Sequence, residues 1–252
     1  MTVRAKSYVD KTDNTVVGVD KFHFSVLEND YPDLLQYGDI YDYPGTIEIS
    51  ATPENVNETL YADNSAVIVY TATSAYDVSI ERTNLSDEIL AILLGNETEG
   101  AIRHVSTVSN PPYVGIAWRQ TYSDGTYGYV KLLKGKFEEP ETTDRTREDG
   151  VDFQTRTLDG RFSATRYEYT TEGGKTFPLM KMSVIENDEL YENEGDTWFD
   201  EIFPLQANEW VATTTYGRGN HVLNEGKVYR AIVGHRSGSD FTTDKSNWVE
   251  LE

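Results

Sequence analysis

Apolar residues in this chain recur at two-residue spacing more often than at helical spacing. Phe22, Phe24 and Val26 alternate with His23 and Ser25, the mark of a half-buried strand. Residues 45–51 repeat the pattern, with Ile47 and Ile49 between Thr46, Glu48 and Ser50. Residues 66–73 and 75–83 predict two further strands, the second carrying Tyr76, Val78 and Ile80 on one face. Between these runs, residues 52–64 are polar and interrupted by Pro53, which predicts a long loop, a reaching arm on a small β core. Residues 29–44, with Pro32, Gly38 and Pro44 among Tyr and Asp, carry the same loop chemistry. One short helix is expected over 84–95. Asn84 or Ser86 would accept from its first-turn amides, Asp87 and Glu88 favour the positive end of its dipole, and Gly95 ends it.

The strongest hairpin signal follows. Residues 113–122 and 127–133 flank Ser123-Asp124-Gly125-Thr126, and Asp-Gly between β-rich runs predicts a two-residue turn. That turn places Tyr122 opposite Tyr127, Gln120 opposite Tyr129 and Trp118 opposite Lys131, with Gly115, Ala117 and Gly128 on the other face. Residues 138–150 lack apolar periodicity and predict a long exposed loop. Residues 153–158 and 162–169 read as strands separated by an Asp159-Gly160 turn. The acidic stretch 186–200 ends in Trp198-Phe199, whose rings are expected to dock on the core, and Pro204 closes a first unit spanning 1–205. Within that unit, residues 1–18 predict a polar arm that orders only against something else. Residues 206–252 are composed differently. Trp210, Tyr216, Val222, residues 228–231 and 248–251 are spaced by Gly, Asn and Ser turns, a small β module that needs its aromatics for stability.

Composition narrows the function classes. A hydrophobic fraction of 38% with 12% aromatic supports a real core, and the absence of Cys removes disulfides and thiolate metal sites. The net charge is −21. Residues 206–252 hold five Lys/Arg against six Asp/Glu, which leaves 17 against 37 in the first unit. So acidic a unit repels a phosphate backbone, which excludes conventional nucleic-acid binding. No apolar segment reaches secretory or membrane-spanning length, so neither export by that route nor membrane insertion is expected. Carboxylate pairs arise by chance among 43 acidic residues, and His23, His104, His221 and His235 show no metal-binding spacing. Gly217-Arg218-Gly219 and Gly173-Gly174-Lys175 read as turns rather than phosphate cradles, because no helix follows either. No catalytic residue, metal or cofactor is expected.

Several segments in order carry a resemblance. Gly18-Val19-Asp20-Lys21-Phe22, Glu58-Thr59-Leu60-Tyr61-Ala62-Asp63-Asn64, Leu93-Leu94-Gly95 and Pro111-Pro112-Tyr113-Val114 form one set. Residues 129–137 (Tyr129 to Phe137) and Phe153-Gln154-Thr155 form another. Over roughly residues 1–205 the chain resembles the major tail protein family of long-tailed phages of Gram-positive bacteria. The resemblance implies a tail-tube β-sandwich or barrel with one short flanking helix and long loops. It implies hexameric rings stacked into a tube with an acidic lumen, through which DNA passes without specific binding. It also implies assembly in the bacterial cytoplasm, residence in the virion, and contacts with tape measure, tail terminator and baseplate proteins. Glu58, Leu60, Tyr61, Asp63 and Asn64 become candidate subunit-interface residues, in a loop that orders against an adjacent copy. Residues 206–252 resemble, more weakly, the small carbohydrate-binding modules of chitinases, with Gly219-Asn220 where that pattern has Gly-Asp. Trp210, Tyr216, Tyr229 and Trp248 are then candidate glycan-stacking rings, or core. A monomeric carbohydrate-binding protein is the alternative function; a secreted glycoside hydrolase fits poorly without a signal segment.

Overall fold

The computed structural model describes residues 15–62, 65–143, 154–171, 173–186 and 197–251, and in it the chain is mainly β. The first half supplies β1 (Val16–Tyr31), β2 (Leu34–Asp42), β3 (Thr46–Ala62) and β4 (Ser65–Arg82), then helix α1 (Asp87–Leu94) and the short β5 (Glu97–Glu99) and β6 (Ile102–His104). There follow β7 (Val114–Tyr122), β8 (Tyr127–Phe137), β9 (Arg156–Ser163), β10 (Glu168–Thr170), β11 (Thr176–Pro178) and β12 (Lys181–Ile185). The remainder contributes β13 (Gln206–Ala207), β14 (Thr215–Tyr216), β15 (His221–Asn224), β16 (Lys227–Ala231), β17 (His235–Arg236), helix α2 (Phe241–Asp244) and β18 (Trp248–Glu250).

One large antiparallel sheet runs in the order β13-β2-β1-β7-β8-β9-β4-β3, and β12 also pairs with β8. The hairpin β7–β8 lies at its centre and is buried on both faces. Val114, Ile116, Trp118, Val130 and Leu132 enter one cluster with Phe22, Phe24, Val78, Ile80 and the helix residues Leu90, Leu93 and Leu94. Ala117, Tyr129 and Leu133 enter a second cluster with Leu27, Leu35, Leu179, Trp198, Ile202 and Phe203. Such two-sided burial is why these strands read as near-continuous apolar runs rather than clean alternation. Trp198 and Phe199 dock in the second cluster, as their position after the acidic stretch predicts.

The hairpin is slipped by one residue from its predicted register. Trp118 pairs with Val130 and Ala117 with Lys131, while Tyr122 N donates to Thr126 O at 2.9 Å. Gly125, at φ 88°, ends a three-residue loop, and its N–H donates to Tyr122 O at 3.0 Å. Asp124-Gly125 therefore closes a type I turn with a left-handed third residue instead of a two-residue turn. A one-residue slip exchanges faces. Trp118 and Lys131 accordingly lie on opposite sides of the sheet, and Lys131 Nζ donates to Glu201 O at 2.8 Å beneath the Trp198 ring.

Asp159-Gly160 is not a turn, because β9 runs straight through it. Across β8–β9, Gly135 pairs with Phe162 and Phe137 with Gly160. A Cβ on Gly135 would lie 2.3 Å from the Phe162 ring, and one on Gly160 would lie 2.6 Å from Phe137. Each ring thus fills the space above the opposing glycine, and the two rings meet edge to face at 5.6 Å.

Two expected loops are also corrected. Residues 34–42 form β2, because Leu34 and Leu35 are buried and the strand pairs with β1 through two register shifts that absorb its polar residues. Residues 52–62 continue β3, and the strands expected at 66–73 and 75–83 are one strand, β4. In α1, Ser86 makes no side-chain cap. Instead Tyr43 Oη accepts from Ser86 N at 3.0 Å, a distant aromatic doing what the local sequence assigned to Asn84 or Ser86. Of the long loop predicted at 138–150, residues 144–150 lie outside the described residues, as do residues 1–14 of the predicted arm.

Overpacking at the Phe–Gly pairs gives the first prediction. Gly135→Ala is expected to lower the unfolding free energy by about 2 kcal/mol. Gly173→Ala, where only Thr171 Oγ1 comes within 4 Å, leaves it unchanged. Urea denaturation followed by Trp fluorescence measures both, and equal midpoints would contradict the packing described.

Candidate functional site

Two features of the structure lie outside its main core: a projecting hairpin and the terminal module. Strands β3 and β4 pair along their whole length, from Thr46–Arg82 to Ala62–Ser65. Strand β4 pairs with β9 only from Tyr76 to Arg82. Outward from Glu54 and Ala75, no other strand among the described residues pairs with either of them. At 3.2–3.4 Å per residue, positions 54–62 extend about 30 Å. Residues 52–59 are all exposed, and so are Val69 and Tyr70, at 68% and 59%.

The ribbon is held by polar rungs. Thr71 Oγ1 donates to Asn57 Oδ1 at 2.8 Å, and Thr73 Oγ1 to Asn55 Oδ1 at 2.9 Å. At its root Arg161 on β9 pairs with both Glu54 and Asp77. These exposed pairs fix direction more than stability, since such contacts are worth under about 1 kcal/mol each. On one face Val56 and Ala72 stand with Glu58 and Tyr70; on the other, Val69 stands among Asn55, Asn57, Thr59, Thr71 and Thr73. Among the described residues, no strand pairs with the outer edge of the 17-residue β3.

Of the predicted interface residues, Glu58, Leu60 and Tyr61 lie in β3, not in a loop, and Asp63 and Asn64 lie outside the described residues. The polar composition that suggested a loop is that of a strand wet on both faces, where the period-two signal has nothing to alternate with. In the sequence Val69 and Tyr70 mark only a strand. Their exposure follows from the length of β4 beyond β9, which local sequence does not encode.

In the terminal module, Tyr216, Tyr229 and Trp248 are buried with Val222, Ala231 and Phe241, and the half-buried Trp210 packs against them. Three of the four candidate stacking rings therefore form the core and offer no flat exposed platform. Tyr216 meets Trp248 edge-on at 5.0 Å, and Trp210 meets Phe241 at 5.7 Å. The keystone is Asp244, which is 4% exposed. Its Oδ2 accepts from Trp248 Nε1 at 2.9 Å, Trp210 Nε1 at 3.2 Å and His235 Nε2 at 3.1 Å, while Oδ1 accepts from Asn247 Nδ2 at 3.0 Å. Burial alone would raise its pKa; the hydrogen bonds from Trp248, Asn247, His235 and Trp210 outweigh that and hold it at about 2.

The module is tied to the large sheet by more than chain continuity. Gln206 and Ala207 pair with Leu35 and Leu34 of β2, so the first two residues assigned to the module complete the first unit's sheet. His221 stacks on Tyr31 at 4.6 Å, and Asp33 accepts from both His221 N at 2.9 Å and His221 Nδ1 at 2.8 Å. Burial pushes the Asp33 carboxyl up, but those two hydrogen bonds more than offset it and leave the pKa below the ordinary value. Nothing in the spacing of Asp33 and His221 or of Asp244 and Trp210 marks these contacts; each joins residues from separate turns.

Among the described residues, no group of His and carboxylates is placed to hold a metal ion, and no helix is long and apolar enough to cross a membrane. Removing the keystone tests the module's architecture. Asp244→Ala leaves four donors, Trp248 Nε1 buried and the others part-buried, without their acceptor and is expected to cost about 3 kcal/mol. Because the folded pKa is depressed, the carboxylate's contribution is fully present above pH 3.8 and is lost as the pH falls through about 2. An acid titration of Trp fluorescence should show that transition in the native chain and lose it in Asp244→Asn. No family model matches the chain, and no curated protein sequence shows significant similarity to it.

Proposed function

We propose that this chain is the repeating subunit of a phage tail tube, in which copies close into rings and the stacked rings conduct DNA. The observation that carries the proposal is the β3–β4 ribbon, whose faces and outer edge find no partner within the described chain. An isolated two-stranded ribbon is marginal in water, and a long free edge invites pairing with another chain. A second copy supplies the missing surface, and ring symmetry supplies it to every copy alike. Six-fold rings and the tape measure, terminator and baseplate partners follow from the family resemblance.

Charge supports the same reading. Nearly all of the net −21 belongs to the first unit, and duplex DNA carries roughly one negative charge per 1.7 Å of axis. An acidic bore repels that surface and leaves DNA free to slide. The subunit's action is mechanical and electrostatic, without catalysis or a cofactor. A monomeric carbohydrate-binding protein leaves the ribbon unexplained, and burial of Tyr216, Tyr229 and Trp248 takes away its stacking platform.

The test is the assembly state. Negative-stain microscopy of concentrated protein is expected to show rings or tubes. The double variant Val69→Glu/Tyr70→Glu is expected to remain monomeric with unchanged circular dichroism. Hydrogen exchange should show residues 54–62 and 69–75 protected only in the assembled form. A native chain that stays monomeric when concentrated, with those amides equally protected at every concentration, overturns the proposal.

A further inference from the structure

We propose that the terminal module binds a phosphate monoester carried on a small neutral body, a sugar or polyol phosphate. The site is an open cleft of about 360 Å³ between the turn at 217–220 and β16. That volume lies at the lower end of the range for small-molecule pockets. Arg218 and Arg230 line it, with Gly219, Ala231 and Ile232.

Backbone bonds pin both sides. Gly219 N donates to Ala231 O at 2.8 Å, Ala231 N to Asn220 O at 2.9 Å, and Gly217 N to Asn220 Oδ1 at 2.6 Å. The turn carrying Arg218 is thereby sewn to the strand carrying Arg230. Among the described residues, neither guanidinium makes a hydrogen bond or an ion pair. Elsewhere Arg103, Arg119 and Arg161 are each matched to carboxylates. In a chain with 43 acidic and 22 basic residues, two free arginines sharing one cleft need a reason. Asp33, which reaches neighbouring β15, has both oxygens engaged by His221.

Both arginines line the one cleft, so an anion bound there is attracted by two positive charges. A monoester carries about −1.5 to −2 charges at neutral pH, which matches two guanidinium groups. Their planar forks suit bidentate contact with its oxygens. A polyanion fits poorly, because its units outside the cleft run over the surface of a chain of net charge −21. A single charged group on a neutral carrier escapes that repulsion. Ile232, 48% exposed, offers an apolar flank for the carrier's carbons. The glycine turn itself is no phosphate cradle, since no helix follows it; the side chains bind, not the amides. The inference does not depend on the tube proposal.

Isothermal titration of the full chain with glucose 6-phosphate at low salt tests it. Saturable binding is expected, with a Kd of about 1 mM, weak enough to require direct titration. Arg218→Gln and Arg230→Gln should each weaken it at least about tenfold, the loss expected for one charge-assisted pair, without moving the unfolding midpoint. Glucose should not bind. Absence of binding, binding unaffected by both substitutions, or equal binding of gluconate overturns the assignment. So does inorganic phosphate binding as tightly, which removes the carrier. Binding confined to phosphatidylglycerol vesicles overturns it in favour of a lipid surface.

Discussion

The fold depends on burying both faces of one hairpin. Because β7 and β8 carry apolar side chains above and below the sheet, each face must be covered by something else in the chain. On one side β1, β4, β9 and α1 close over Trp118 and Val130. On the other, β2 and the segments around Leu179 and Trp198–Phe203 close over Tyr129 and Leu133. The price falls on Lys131, whose position in β8 buries it, at 6% exposed. Its amine is satisfied by the Glu201 carbonyl and the Trp198 ring instead.

Much of this was legible in the alternation of residues. The mainly β class, β1 around Phe22–Val26, the helix ending at Gly95, the docking of Trp198 and the compact aromatic module are all written in short-range pattern. What failed to show was of two kinds. Asp124-Gly125 and Asp159-Gly160 are the same dipeptide. One closes a turn because its glycine is left-handed; the other lies in a strand because Phe137 covers its glycine. That difference is tertiary. The ribbon was misread for the opposite reason: a strand exposed on both faces carries no hydrophobic period. Glu58, Leu60 and Tyr61 carry no local signal of a partner surface; only the family resemblance marks them as candidates.

Stability is distributed unevenly as a result. The described part of the ribbon has polar rungs, with residues 52–59, Val69 and Tyr70 exposed, which puts it at the low-stability end of the molecule. The module has a separate aromatic core organised by one buried carboxylate. Between them stands the large sheet, with Arg119 bidentate to Asp20 at 2.8 and 2.6 Å and Lys134 to Asp30 at 2.6 Å fastening β1 to the central hairpin.

The short strand β13 sets where one unit can be parted from the other. Gln206 and Ala207 belong to the appended segment by sequence, yet they cover the backbone of Leu34 and Leu35. A splice placed after Ala207 leaves that border covered, whatever domain follows. A splice placed before Gln206 bares a second open margin on a sheet that already has one along β3.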